Sequence, residues 1–425
     1  MDPRNKSSQE LAQERAKQLR ERITDYLEAE KSIVTGFRAE EQIRENQARI
    51  KKLLHATEEQ WQDWRWQMRN RIKSVEVLRE IIRLSDGEAE AIERVGKQYR
   101  WSISPYYASL IDPEDPRDPI KLMSVPSALE EVPVGQLDPM AEEYTSPVPG
   151  VTRRYPDRLI IKVTNQCAMY CRHCQRRRLI GEQDTHMTKE DLARALQYVK
   201  DNPEIRDVLL TGGDALMLSD ETLDWLLGEL RGIEHVEIIR LGSRTPVTLP
   251  QRITPQLCEI IGKYHPVFLN THFNHPKEIT REAATACDRL SRQGIPLGNQ
   301  AVLLNGVNND VHVMKKLCHE LLRIRVRPYY IFHAKHVRGT THFRCKVETG
   351  FEIMEKLRGY TSGMAIPTYI VNAPGGYGKT PILPNYVVSW GKDHVLIRTW
   401  EGHLIEYPNY EGELPFEEEN NDSYH

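Results

Sequence analysis

The chain has 425 residues, 39% of them apolar, with seven Trp and eighteen Tyr, enough for one large domain with extensions. Its 58 basic and 61 acidic residues leave a net charge of −3, so no global field draws it to nucleic acid or to an anionic membrane. No apolar signal segment opens the sequence and no stretch approaches a membrane span, which predicts a cytoplasmic protein; its seven cysteines, three of them clustered, read as a metal site in a reducing compartment rather than a disulfide framework.

Residues 1–111 read as an N-terminal helical region. Over the first fifty, Leu11, Leu19, Ile23 and Leu27 predict an amphipathic helix with a narrow apolar stripe, suited to packing on a partner subunit or staying mobile. Thr57 and Gln60 form a capping-box pattern, after which Trp61, Trp64 and Met68 share a helical face. Further helices are expected over 75–84 and 88–99. Prolines at 113, 116, 119, 126, 133, 139, 147 and 149 predict a connector over 112–150 with little regular structure.

From 151 to 380 short apolar runs alternate with helical periodicity. Strands are expected over 159–163, 208–211, 236–241, 267–270, 298–303, 327–332 and 369–371. Helices are expected over 189–200, 221–231, 256–264, 281–293, 311–323 and 351–358. This alternation predicts an α/β fold with right-handed crossovers and parallel strands, a barrel or partial barrel, with a doubly wound open sheet as the alternative. Either way ligands belong at the carboxyl ends of the strands. Residues 381–425 form a small C-terminal extension.

Three motifs carry chemistry. The first, at 164–178, reads Thr-Asn-Gln-Cys-Ala-Met-Tyr-Cys-Arg-His-Cys-Gln-Arg-Arg-Arg, so Cys167, Cys171 and Cys174 form a C-x3-C-x2-C array directly after the first strand. A lone triplet leaves one position of a metal cluster without a protein ligand, unless a distant residue completes a structural zinc. The second, Thr211-Gly212-Gly213-Asp214, ends the second strand; its glycines permit close backbone approach and Asp214 can accept a hydrogen bond from an ammonium, although the same run is also an ordinary turn. The third, Ala373-Pro-Gly-Gly-Tyr-Gly-Lys379-Thr380, matches a permissive phosphate-binding P-loop, but Pro381 and Pro384 disfavour the helix that a P-loop needs. Lys379 is otherwise a solvated turn lysine or the amine that forms a Schiff base with pyridoxal 5′-phosphate.

The cysteine array resembles the signature of the radical SAM superfamily. Together with Trp61-Gln-Asp-Trp-Arg-Trp-Gln-Met-Arg-Asn70, Ser146-Pro-Val-Pro-Gly150, Arg154-Tyr-Pro-Asp-Arg158, Gly242-Ser-Arg-Thr-Pro-Val247, Asn270-Thr-His-Phe-Asn-His275 and the Ala373–Thr380 run, it resembles the lysine 2,3-aminomutase family from about residue 57 to 408. The resemblance implies an isomerase with a partial (β/α)6 barrel, a [4Fe-4S] cluster on Cys167, Cys171 and Cys174, S-adenosylmethionine, and pyridoxal phosphate held as an aldimine on Lys379. It further implies that Arg154, Tyr155 and Arg158 meet the pyridoxal phosphate group. Gly212, Gly213, Asp214, His272 and Gln300 fall to the S-adenosylmethionine site, with Arg176 on the substrate α-carboxylate. The implied reaction starts when an external one-electron reductant, through the cluster, yields a 5′-deoxyadenosyl radical. That radical removes a hydrogen from the β-carbon, and the nitrogen migrates from the α- to the β-carbon.

Two departures from the family pattern bear on substrate and assembly. The positions of two aspartates that grip the lysine ammonium are Lys335 and Asn372 here, which suits a side-chain carboxylate and implies L-glutamate and β-glutamate as the interconverted pair, with lysine as the alternative. A third possibility, of a different class, is a nucleotide-binding protein using Lys379 and the arginines 176–178. No cysteine follows Cys345, and the position of the partner-subunit zinc cysteine is Asp310, so zinc is not expected and a homodimer replaces the family tetramer as the expected assembly.

Overall fold

A computed structural model describes residues 6–410. The chain divides into two compact units, one running to Ile382 and the other starting at Leu383. The first is built on a nine-stranded sheet: β1 (Val151–Arg153), β2 (Arg158–Thr164), β3 (Asp207–Gly212), β4 (Ile238–Gly242), β5 (Val267–Thr271), β6 (Leu297–Leu303), β7 (Arg327–His333), β8 (Thr368–Ala373) and β9 (Gly378–Pro381). The strands lie side by side in sequence order, with β2 to β8 parallel and β1 and β9 antiparallel at the edges. The sheet is the curled, open half-barrel expected of six β/α units closed by a further strand, and not a doubly wound sheet.

Period-two alternation decides which face each side chain takes. Leu159, Ile161, Val163, Val208, Leu210, Ile239, Leu241, Val267 and Leu269 are buried under the crossover helices, each contributing on the order of 1.5–3 kcal/mol. The residues between them, including Ile160, Lys162, Leu209, Thr211, Arg240 and Asn270, point into the concave side and line a cavity there. All seven expected strands are present, with boundaries displaced by no more than two residues.

The crossover helices are Lys189–Lys200, Asp220–Arg231, Pro255–Gly262, Arg281–Arg292, Val311–Arg323 and Val347–Leu357. Five start at a capping side chain, from Thr188, Ser219, Thr254, Thr280 and Asp310, that accepts a first-turn backbone N–H, worth about 1 kcal/mol each. Asp310 therefore has a helix-capping task of its own.

The N-terminal region corrects one expectation. Among the described residues this stretch forms three helices, Ser8–Glu21, Thr24–Ala29 and Glu40–Leu53, rather than one. Leu11 and Leu19 of the first are exposed, as a narrow stripe predicts. The third instead enters the common core: Ile43 and Ile50 are buried, and Asn46 donates to the Ser109 and Ile111 carbonyls at 3.0 and 2.9 Å. Thr57 and Gln60 form the expected capping box, but Asp63 interrupts the helix and caps a second one, Trp64–Arg69. The proline-rich segment holds only the short helix Pro119–Ser124 and two 3-10 turns.

The second unit is a three-stranded antiparallel meander, β10 (Val387–Trp390), β11 (His394–Arg398) and β12 (Leu404–Pro408). No helix among the described residues is long and apolar enough to cross a membrane.

Candidate active site

One cavity of about 730 Å³ occupies the concave side at the carboxyl ends of the parallel strands. Every residue that the family resemblance assigns to cofactor or substrate lines it: Cys167, Cys171 and Cys174; Gly212, Gly213 and Asp214; His272 and Gln300; Arg154, Tyr155, Arg158 and Lys379; and Arg176, Lys335 and Asn372. Segments more than 200 residues apart in the chain thus meet because each follows, or lies on, a strand of one sheet.

The cysteine loop leaves the end of β2 and is pinned from below. Arg71 Nη1 donates to the Cys167 carbonyl at 2.7 Å, and Asp184 accepts from Arg71, Arg100, Gln166 and Tyr170. Burial opposes the Asp184 charge, yet these hydrogen bonds hold its carboxyl well below the usual range. Burial also pushes the Cys167 and Cys174 thiols up, so as free thiols they keep their protons, and a cationic centre is what would hold them as thiolates. No three acidic, His or Cys side chains among the described residues converge on a single-ion position. A cluster that takes one thiolate per iron does not require that convergence, so the three cysteines fit a cluster better than a lone ion.

The glycine turn after β3 lies against this loop. A Cβ on Gly213 would stand 2.4 Å from the Gln166 carbonyl oxygen, and one on Gly212, at φ +129°, would stand 2.3 Å from that of Thr164. The glycines thus serve backbone-on-backbone packing that sets the position of the cysteine loop. Gly213→Ala is accordingly expected to cost about 1–3 kcal/mol and to lower the iron content of reconstituted protein. Urea midpoints and iron analysis check this; unchanged values for both would mean that the turn tolerates a side chain.

Asp214, expected to be able to accept from an ammonium, is also engaged within the chain. Its buried carboxylate accepts from Ser243 Oγ at 2.6 Å, the Arg244 N–H at 2.7 Å and the Leu216 N–H at 3.1 Å. Asp214 is a brace between the ends of β3 and β4. Arg244, in turn, reaches the Cys171 Sγ at 2.7 Å. His272, after β5, leaves its Nε2 buried without a hydrogen-bond partner, and burial lowers its pKa to about 3, so the ring is neutral.

At the opposite wall the Ala373–Thr380 run turns through glycines and continues as β9, pairing Asn372 with Lys379 across the β8–β9 ladder. No helix follows, so the dipole and amide cradle of a nucleotide P-loop are lacking here. The Lys379 N–H donates to the Tyr155 hydroxyl at 2.9 Å, and Arg158 stacks on the Tyr155 ring at 3.9 Å. Burial, with Arg240 and Arg158 nearby, lowers the Lys379 pKa to about 8. Arg154 keeps Nε and Nη2 buried and without a hydrogen bond, although Glu142 lies 3.5 Å away. Unsatisfied buried donors of this kind cost about 1–3 kcal/mol each unless a ligand meets them, and a guanidinium fork fits a phosphate dianion. The wall thus fits a phosphate-bearing aldehyde.

Between the two ends lie Arg176, Lys335 and Asn372. Arg176 pairs with Glu142 at 2.9 Å, and Lys335 Nζ donates to the Gln175 amide oxygen. Burial, followed by the repulsion of Arg176, lowers the Lys335 pKa to about 7. Asn372 Nδ2 is buried and unpartnered. Burial raises the Glu142 carboxyl, but Arg176, Lys162 and Arg154 outweigh it and hold the group at about 2. Sequence reasoning missed Glu142 and gave no role to Arg244 or Gln175, although both lie in quoted motifs. Glu142 sits in the proline-rich stretch, where no pattern marks it, whereas Arg244 follows the end of a predicted strand, a position that could have singled it out.

Comparison with known proteins gives the family. The Radical SAM superfamily profile matches residues 161–317, and the lysine-2,3-aminomutase profile matches residues 354–424. The chain is 59% identical over 396 residues to a glutamate 2,3-aminomutase of Clostridioides difficile, covering 93% of this chain and 94% of that protein. It is 54% identical to an L-lysine 2,3-aminomutase of Clostridium subterminale, over 82% of this chain and 84% of that one. An L-lysine 2,3-aminomutase of Bacillus subtilis is 49% identical, over 84% and 76%. Identity of this extent, over most of the chain and most of each relative, makes the chain a member of the lysine 2,3-aminomutase family of radical SAM enzymes.

Proposed function

We propose that this chain is a glutamate 2,3-aminomutase, interconverting L-glutamate and β-glutamate. Membership of the radical SAM superfamily brings a [4Fe-4S] cluster, S-adenosylmethionine and a one-electron reductant; pyridoxal 5′-phosphate is part of the proposal. The single observation that carries the substrate is the facing of Lys335 and the unpartnered Asn372 amide into the same cavity as Arg176. A cation and an amide donor there favour a second carboxylate and repel an ammonium. The resemblance to the Clostridioides difficile enzyme points the same way.

The roles of the residues follow from their chemistry. Arg176 binds the α-carboxylate, exchanging its present partner Glu142 for the substrate, while Lys335 and Asn372 bind the γ-carboxylate. Anchoring both ends of a short carbon chain removes the freedom that would otherwise oppose reaction at its β-carbon. Arg154, Tyr155 and Arg158 hold the cofactor phosphate, and Lys379 presents an amine that is about half neutral near pH 8. Bound pyridoxal phosphate supplies a conjugated system that spreads an unpaired electron beside the migrating nitrogen. Cys167, Cys171 and Cys174 hold the cluster, and Gly212, Gly213, His272 and Gln300 border the S-adenosylmethionine side, with Asp214 bracing it. The enclosing sheet keeps water from the radical.

A lysine-directed enzyme is the alternative, and two of the relatives are L-lysine 2,3-aminomutases. Anaerobic assay with both amino acids in parallel separates the readings. Conversion of glutamate with no measurable conversion of lysine is expected; conversion of lysine alone overturns the proposal.

A further inference from the structure

Arg244 is buried, and its fork spans five groups, the most distant being Met123 Sδ at 3.7 Å from Nη2. Nε donates to the His272 carbonyl at 3.0 Å, Nη1 to the Cys171 Sγ at 2.7 Å, and Nη2 to Glu278 Oε1 at 2.7 Å and to the Tyr107 hydroxyl at 3.1 Å. Glu278 is fixed in turn: Tyr107 donates to Oε1 at 2.7 Å, and the Asn274 and His275 N–H groups donate to Oε2 at 2.5 and 3.0 Å. The Arg244 N–H is held by Asp214. A cation is thus locked against one cysteine, with its counter-ion on the side of the guanidinium turned to Tyr107.

We infer that Arg244 sets the reduction potential of the cluster by donating a hydrogen bond, and presenting its charge, to the Cys171 sulfur. The inference rests on the proposed role of Cys167, Cys171 and Cys174 as cluster ligands. Reduction adds one electron from the external reductant and one negative charge to the cluster. A fixed positive charge at hydrogen-bond distance from a ligand sulfur stabilises that reduced form, and hydrogen bonds to the sulfurs are among the determinants of cluster potential. The opposing charge of Glu278 acts from the far side of the guanidinium, and in a poorly screening interior the nearer charge dominates. Lysine in this position would keep a charge but could not hold Cys171, His272 and Glu278 together, because an ammonium lacks the planar fork. Arg244 is therefore a positioning residue that acts through Cys171, distinct from the groups that meet substrate.

The test uses the full chain, reconstituted anaerobically, with iron and sulfide analysis beside a redox titration followed by electron paramagnetic resonance. Replacing only Arg244 would leave Glu278 buried and unpaired, so the principal variant is Arg244→Gln with Glu278→Gln. At wild-type iron content its reduction equilibrium should weaken at least tenfold, read as a midpoint about 59 mV more negative for a one-electron couple. If that variant does not hold a cluster, Arg244→Lys decides, with a shift of the same sign. An unchanged midpoint in the variant that holds the cluster overturns the inference. A wild-type chain that takes up no cluster overturns the ligand assignment instead, so the two failures are distinct.

Discussion

Lys379→Ala loses turnover by on the order of 10³-fold or more and loses the visible absorbance of lysine-bound pyridoxal phosphate. The argument begins with the amine. Burial and the neighbouring Arg240 and Arg158 lower the Lys379 pKa from 10.5 to about 8. Below both values the neutral, nucleophilic form is about 300-fold more abundant than at an ordinary lysine, the ratio that this difference in pKa sets. Capture of the aldehyde by wild-type apoprotein should therefore quicken as pH rises from 6, reach half its limit near 8 and level off above it, where a solvated lysine would still be gaining. Position adds to protonation: the Lys379 N–H on the Tyr155 hydroxyl and the ladder to Asn372 fix the backbone from which the amine reaches into the cavity. Alanine keeps that ladder, so thermal stability should change little while the absorbance disappears. Borohydride reduction followed by peptide mass analysis checks the attachment. A Lys379→Ala protein that still yields a labelled lysine peptide, and still turns over, would place the aldehyde on another amine.

The same wall explains what could be read from sequence and what could not. The parallel strands were legible because each is an apolar run with alternate positions buried, as in Leu159, Ile161 and Val163. Strand β9 was not, since Gly378-Lys-Thr-Pro has neither apolar alternation nor β-branched density. It is a strand because β8 offers a free edge and the glycine turn folds it back. Edge strand β1, three residues long, is too short to carry a period. In the N-terminal region the sparse apolar spacing was real, but pattern alone could not tell that Ile43 and Ile50 face this chain's own core.

Of the candidate site, only the cysteine triplet is written as spacing; Lys379 after its glycines left several readings open, and the roles of arginines 154 and 158 come from the resemblance to the family. What escaped was second-order and set by tertiary approach. Glu142 matters because Arg154, Arg176 and Lys162 surround it, a relation among four segments that no local pattern encodes. Likewise the Gly212–Gly213 pair suggested ligand approach, whereas its neighbours are the carbonyls of Thr164 and Gln166. Gln175 is one residue beyond a cysteine and reads as filler until Lys335 is seen to donate to it.

Substrate preference should reverse in Lys335→Asp with Asn372→Asp, the change with the most informative outcome. The pocket now presents the Lys335 amine, whose pKa burial and the positive neighbours lower to about 7 and which an incoming carboxylate would hold charged, and an amide whose Nδ2 has no partner. Two carboxylates there would meet the γ-carboxylate of glutamate as like charges. For one such pair at 4 Å and an effective dielectric constant of 20, the repulsion is about 4 kcal/mol, close to 10³-fold in affinity. The same carboxylates would pair with a lysine ammonium. Arg176 is untouched, so the α-carboxylate anchor is common to both substrates and the change should fall on KM more than on kcat. Lys335→Asp alone should lose glutamate without gaining lysine fully, because Asn372 offers only half of the new pocket. Neither change alters Lys379, the cysteines or Arg244, so iron content and cofactor absorbance should match wild type and certify that the loss is one of recognition. Retained preference for glutamate over lysine in the double variant, with cofactors bound, would mean that the γ-carboxylate binds elsewhere in the cavity and that the two residues only border it.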